Sequence, residues 1–371
     1  MLFTNCSRFQ VFSYIKIALL AIGLLGCQAT VSTEDQIATI QAMPTSDPRN
    51  FDDSPDWSPD GKFIVFGSGR SGNNDLWVIA ANGAGLRNLT IDNPTNDYNP
   101  QWSPDGRYIL FVSDRDEKYD LWRMDADGTN PIRLRTTVDQ IGFDYQWSPD
   151  SQRIVFVGVQ NEREDVWVIN VDGSGAINLT ANTEYGYLRP GWSPDSTTIA
   201  AISSTISPYQ SGIVVINVDD KRQVEVIEPT ENRVILFAMY SPVGDQIAFS
   251  QNIITPSSFS DVWTIGADSS LESNITNTDD EIENGAWWSP DGNYILFTCN
   301  LPESNELCRV DADGSNRLRL TNDGRTGVVS GNVSPSWSPD GQHIAYVKAM
   351  DTGSAIWLMD SDGSNKVNLI G

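Results

Sequence analysis

An all-β fold, a seven-bladed β-propeller of four-stranded antiparallel blades, is predicted by three features of this chain. The phrase Trp57-Ser58-Pro59-Asp60-Gly61 recurs seven times: Trp102, Trp147 and Trp192 open copies at steps of 45 residues, then Tyr240, Trp288 and Trp337 at steps of 48, 48 and 49. Seven residues after each aromatic stands an isoleucine (Ile64, Ile109, Ile154, Ile199, Ile247, Ile295, Ile344) inside a run that is apolar at every position. A third run follows, as in Asp75-Leu76-Trp77 or Asp165-Val166-Trp167, and then a polar turn and a short last strand. A repeat of about 40 to 50 residues holding four strands is the mark of a propeller blade. No blade can bury two apolar faces alone, so the units must stack radially. The alternative is six blades, with one unit outside the ring.

Each element has its own physical reason. In the aromatic-Ser-Pro-Asp-Gly phrase, serine accepts a backbone hydrogen bond and proline presets φ. Aspartate tolerates the bridge region and glycine leaves with φ above zero, so the phrase is a tight turn between antiparallel strands. In the strand that follows, Ile64-Val65-Phe66 and its counterparts lack the polar alternation of a half-exposed strand, so both faces must be covered. The third run carries a Trp in five units, with Val214 and Cys308 in that slot in units four and six. Of the 12 Trp only Trp287 belongs to neither series. Turns such as Asp125-Ala126-Asp127-Gly128 precede the fourth strand, which ends Asn88-Leu89-Thr90, Asn178-Leu179-Thr180 or Asn368-Leu369-Ile370.

As a set, these copies resemble the WD40-like PD40 repeats of the TolB propeller and of its tricorn and prolyl oligopeptidase relatives, over residues 51–371. The resemblance implies an additional α/β domain ahead of the propeller, for which the preceding residues leave no room. A complete TolB role in a Tol-Pal system is therefore not expected.

Residues 1–26 carry Arg8 and Lys16 but no acid, and their apolar run from Ile17 to Leu25 is too short for a confident membrane span. Leu24-Leu25-Gly26-Cys27 resembles the lipobox of bacterial lipoproteins. That resemblance implies a signal peptide over 1–26 and an acylated Cys27, with 27–50 a lipidated N-terminus and flexible tether. Within the tether, Ile37-Ala38-Thr39-Ile40 is alternatively an edge strand of the ring. The alternatives to a lipoprotein are an ordinary signal peptide with a chance cysteine and an uncleaved anchor. An exported lipoprotein would face the periplasm from the outer membrane where the host has two membranes, since Gln28 replaces the aspartate of inner-membrane retention. Otherwise it would sit on the outer face of the plasma membrane.

Lys and Arg number 24 against 49 Asp and Glu, a formal charge of −25, and loss of Arg8 and Lys16 with the signal makes the rest more acidic still. Nucleic acid is a poor partner for that surface, because phosphate contacts need clustered cations. Of four cysteines, only Cys299 and Cys308 fall in the folded body, at the end of the second strand and within the third strand of unit six. They form a disulfide in an oxidising compartment or stand as two separate thiols. The single His343 opens a strand where other units have Phe63, Tyr108 or Arg153, and reads as an ordinary strand residue. One histidine disfavours a transition-metal site of His type, and with it the metal-dependent pectate-fragment lyase that shares this repeat. Asp125-Ala126-Asp127-Gly128, Asp311-Ala312-Asp313-Gly314 and Asp360-Ser361-Asp362-Gly363 look like calcium loops but lack a third acidic ligand at the required spacing. A β-turn is the preferred reading, and no cofactor is expected.

The variable segments entering each innermost strand are the candidate binding surface. They supply Asp97, Tyr98, Asp144, Tyr145, Tyr187, Arg189, Arg233, Phe237, Glu283 and Trp287, with Arg325 to Val333 in the last unit. Exposed aromatics among charges suit protein or glycan contacts. Units four and five depart most from the pattern, at Val214, Tyr240, Val243 and the apolar run from Val234 to Phe237, so that sector is the first choice for a partner face. A serine hydrolase would need a Gly-x-Ser-x-Gly elbow and a triad histidine, and neither is present. The expected function is therefore a non-enzymatic envelope lipoprotein that docks a protein or a cell-wall glycan or peptide. The alternative is a sugar- or peptide-active enzyme using Asp97, Asp144 or Glu283 as acid and base, which requires a defined carboxyl separation.

Overall fold

The computed structural model describes residues 51–116, 118–181, 183–206, 209–231, 233–253, 259–278, 281–301, 304–322, 334–350 and 353–370. Residues 1–50, on which the expected signal peptide, Cys27 and the expected tether with Ile37 to Ile40 fall, and Arg325 to Val333 lie outside them. Among the described residues every regular element is a β-strand. They fall into five four-stranded antiparallel sheets and one eight-stranded sheet, which joins units five and six through the single parallel pair Ser260–Ile282. Within each unit the strands pair in chain order, as in Asp52–Trp57, Phe63–Ser68, Asp75–Ala80 and Arg87–Asn88.

The recurrent turn is fully satisfied from within. In unit one the Ser58 hydroxyl donates to Asp60 Oδ1 (2.7 Å) and accepts the Phe63 N–H (2.9 Å), while Asp60 Oδ1 accepts the Lys62 N–H (3.1 Å). Ser103–Asp105, Ser289–Asp291 and Ser338–Asp340 repeat the arrangement. In unit five Val243 supplies no carboxylate and stands exposed. The second strands bury both faces as their composition requires: Ile64, Val65, Phe66, Ile109, Leu110 and Phe111 have no exposed surface.

In four units the repeated tryptophan ties its unit to the one before through the indole N–H, while in unit two the Trp102 backbone N–H makes the tie, to Asp56 Oδ2. Trp147 Nε1 donates to the Gln101 carbonyl (3.2 Å), Trp192 to Gln146 (3.3 Å), Trp288 to Met239 (3.3 Å) and Trp337 to Trp287 (3.4 Å). Tyr240, the one exception to tryptophan, reaches back through its hydroxyl to Thr198 Oγ1 (3.1 Å). Trp57 of the first unit makes the same bond to the Ser336 carbonyl of the last (3.1 Å). Ser354 adds two more across that junction, accepting the Asp52 N–H and donating to the Asp52 carbonyl. The ring is thus closed by the same tryptophan–carbonyl bond that joins units three, four, six and seven to the units before them. Its first and last sheets are each built from one stretch of chain.

The fourth strands are only two residues long in six units; Gln223–Thr230 in unit four is the exception. Side chains complete what the short ladder leaves open. Buried Asp75 accepts from Asn88 Nδ2 (2.7 Å) and Thr90 Oγ1 (3.3 Å), and Thr90 Oγ1 accepts the Leu76 N–H (3.0 Å). Asp165, Asn178 and Thr180 repeat this, whereas in unit two Asp120 is held by Arg133. Unit seven loses the acid and the threonine together, having Ala355 and Ile370.

Cys299 and Cys308 are joined as a disulfide with Cα atoms 5.9 Å apart. They are not directly opposed, since Cys299 pairs with Glu306 and Cys308 with Phe297. Cys308 fills the third-strand Trp slot, against the phenylalanine that faces Trp in other units. Serine at both positions is expected to lower unfolding stability by on the order of 2 to 3 kcal/mol, read as a urea midpoint shift that reducing agent reproduces in the parent protein.

Candidate functional site

The first strands of successive units lie against one another, so their variable positions share one inner ring. Four of these strands carry a bulge just before the aromatic, between Asp53 and Asp56, Tyr98 and Gln101, Leu188 and Gly191, and Asn284 and Trp287. The residue three places before the aromatic sits in the bulge with positive φ: Ser54 (49°), Asn99 (55°), Arg189 (49°) and Gly285 (76°). Bulges re-aim side chains, and here they do so at one level in several units. Position three before the aromatic is therefore where the units differ in chemistry, with Asp144 and Phe237 occupying it in units three and five.

Four sequence-predicted residues come together there. The Arg189 N–H donates to Asp144 Oδ2 (3.3 Å), the Arg189 guanidinium lies over the Phe237 ring (5.3 Å), and that ring meets the Trp287 indole (5.2 Å between centroids, tilted 56°). Asp144, Arg189, Phe237 and Trp287 are all half-buried. Together they form an arc across units three to six. Trp287 folds over Gly285, and a Cβ at that glycine would come within 2.2 Å of two indole carbons. Gly285→Ala combines this clash with the cost of positive φ, so it is expected to lower stability by about 1 to 3 kcal/mol and to displace Trp287. Thermal melting and tryptophan near-UV circular dichroism would register both. Tyr98 lies apart from the arc in a second cluster with Tyr119 and Phe143, their ring centroids 5.3 to 6.0 Å apart.

The other predicted residues are taken up by the framework. Asp97 is fully buried and paired with Arg115 Nη2 (2.9 Å), as Asp52 is with Arg70. Glu283 occupies the same place in unit six, also fully buried, and pairs with Arg317 Nη2 (2.7 Å). Burial pushes its carboxyl up to about 7 despite that partner. All three lie five residues before the aromatic, a shared position that explains their common fate. Tyr145 and Tyr187 are buried, the first with its hydroxyl on the Asn99 carbonyl and the second in the core between units three and four. Val234 is buried and Ile235 belongs to the core of units four and five, while Phe237 of the same apolar run lies in the arc. Arg233 pairs with Glu272 (2.9 Å).

Two acids that sequence reasoning passed over also belong to the inner ring. Asp53 and Asp56 lie on the first strand of unit one, and Asp56 Oδ2 accepts the Trp102 N–H (2.7 Å) while Ser336 of the last unit sits beside it. Removal from bulk water pushes Asp53 up to about 6 and Asp56 to about 7. Asp53 Oδ1 has no hydrogen-bond partner. The available signal was a pair of acids in a mostly buried strand with no cation at matching position in the next turn.

The aspartates of the calcium-like turns are engaged locally. Asp127 Oδ1 accepts from the Thr129 N–H (2.9 Å) and hydroxyl (2.6 Å), and Gly128 turns the chain with φ 91°. No group of three or more His, Cys, Asp or Glu side chains suited to a metal ion occurs among the described residues. His343 opens its strand with Nδ1 3.2 Å from Asp360 Oδ1.

The profile of the PD40 family, the TolB β-propeller domain, matches residues 28–140 and 116–371. No curated protein matches the chain. Among solved structures, the putative TolB from Agrobacterium tumefaciens is 21% identical over 74% of this chain and 94% of its own, with a TM-score of 0.52. A puromycin-hydrolyzing peptidase of Mycobacterium tuberculosis is 16% identical over 87% of this chain and 54% of its own, with a TM-score of 0.68. The β-propeller domain of the Trilobed protease from Pyrococcus furiosus, described as having an open velcro topology, is 14% identical over 88% of this chain and 97% of its own, with a TM-score of 0.63. At these identities the likeness is one of fold.

Proposed function

Since this chain belongs to the PD40 TolB β-propeller domain family, a fold common to TolB and to peptidases, we propose that it is a non-enzymatic envelope lipoprotein that docks a partner on its inner ring. The eight-stranded sheet counts as two blades held by one parallel pair, which makes seven in all. Cys27 carries the lipid, and residues 28–50 tether the propeller at the periplasmic face of an outer membrane. The partner is a protein or a cell-wall glycan or peptide, nucleic acid is not bound, and no cofactor is needed.

The arc of Asp144, Arg189, Phe237 and Trp287 carries this reading. A cation on an aromatic face beside a half-buried indole is the composition of an interface hot spot. The enzyme alternative draws on Asp97, Asp144 and Glu283, but two of these are occupied by Arg115 and Arg317. An ion-paired carboxylate is poorly placed to shuttle a proton.

The test is capture from detergent-solubilised envelopes with the acylated protein as bait. Capture of a defined partner should fall at least tenfold with the combined R189A and W287A changes while the melting temperature stays within a few degrees. Unchanged capture would count against the inner ring as the contact.

A further inference from the structure

We propose that the arc over units four to six recognises a free carboxylate next to an apolar side chain, the chemistry of a peptide C-terminus, with Arg189 as the anion anchor. The proposal rests on the docking reading above and specifies its chemistry. Among the described residues the Arg189 guanidinium makes no ion pair, and Asp144 beside it accepts the Arg189 backbone N–H. Arg115, Arg233 and Arg317, by contrast, are each committed to carboxylates.

The guanidinium rests instead on Phe237, and stacking on a ring leaves the in-plane N–H fork free for two parallel bonds to a carboxylate. Holding a residue other than glycine at φ 49° is unfavourable, and the bulge holds Arg189 there. Phe237 and Trp287, their rings tilted 56° to one another and both half-buried, continue the surface as an apolar shelf.

Charge selects within the anions. The protein has a formal charge of −25. One guanidinium in that field suits a monoanion. A phosphate dianion meets the same repulsion with no second cation to offset it.

The test is calorimetric titration of the full acylated chain in detergent with N-acetyl-glycyl-phenylalanine as free acid, the same peptide as its amide, sodium acetate and inorganic phosphate. The free acid should bind at least tenfold more tightly than the amide and than either small anion. R189Q should abolish the acid-over-amide preference, R189K should restore part of it, and W287A should weaken both peptides while keeping the preference. Equal binding of acid and amide, a preference that survives R189Q, phosphate binding as tight as the peptide acid, or no binding of the acid would each overturn the proposal. Envelope capture that depends on Arg189 and Trp287 alongside any of those results would leave the docking reading standing and remove only the carboxylate.

Discussion

Trp57→Ala is expected to cost about 4 kcal/mol and to open the ring. The side chain is buried, and large aromatic truncations in a core cost about 3 to 5 kcal/mol. The indole N–H to Ser336 and its neighbours at Asp52 and Ser354 make up the seam between the first and last units, which are not neighbours in the chain. Elsewhere the peptide chain itself keeps adjacent units close, so loss of the equivalent Trp147 bond leaves the partners tethered. The check is a urea titration of W57A and W147A with hydrogen exchange on both. Exchange should accelerate along Asp52–Trp57 and Gly353–Asp360 in W57A alone. The same exchange pattern in both variants would mean that the seam holds no special place.

Stability is expected to fall as pH rises from about 5 to 8, the reverse of what a strongly acidic surface with depressed carboxyl groups would give. Burial pushes Asp53 up to about 6, and Asp56, Glu225 and Glu283 to about 7. For such a group the folded state holds the proton more tightly than the unfolded chain, whose carboxyls titrate near 4. Its contribution is complete below about pH 4 and disappears as pH rises through 6 to 7. The turn aspartates act oppositely but in another window: Lys62 and Ser58 bring Asp60 down to about 2, so its contribution is lost only as pH falls toward 2. Between pH 5 and 8 the buried acids dominate. Asp56→Asn, which keeps an acceptor for the Trp102 N–H, should stabilise the protein at pH 8 by on the order of 2 kcal/mol and flatten the profile. Melting temperatures across that range decide it, and a curve rising from pH 5 to 8 would refute the account.

The framework was legible because it repeats. Seven isoleucines at one offset can only mean one buried slot used seven times, and the register confirms it for Trp57–Ile64, Trp102–Ile109 and Trp337–Ile344 alike. The coupling of Asp75 to Asn88 and Thr90 was also written in the chain, since unit seven drops the acid and the threonine together.

The site was only half legible. Arg189, Phe237 and Trp287 stood out as departures from the repeat, and they meet. Asp97, Glu283, Tyr145 and Tyr187 stood out equally and are buried. A one-dimensional pattern identifies which positions vary; it does not reveal whether a varying side chain faces the axis or the neighbouring unit.

From the sequence alone came the all-β class, the four-strand unit, the turn chemistry and the demand that units cover one another, because each is dictated by local propensity and a two-faced apolar strand. Tertiary structure alone decided how Trp57 reaches Ser336, which carboxylates find an arginine and which side chains share the inner ring. Those outcomes depend on contacts between residues 18 to 302 positions apart, and distances of that kind are fixed only when strands and units have been set against their neighbours.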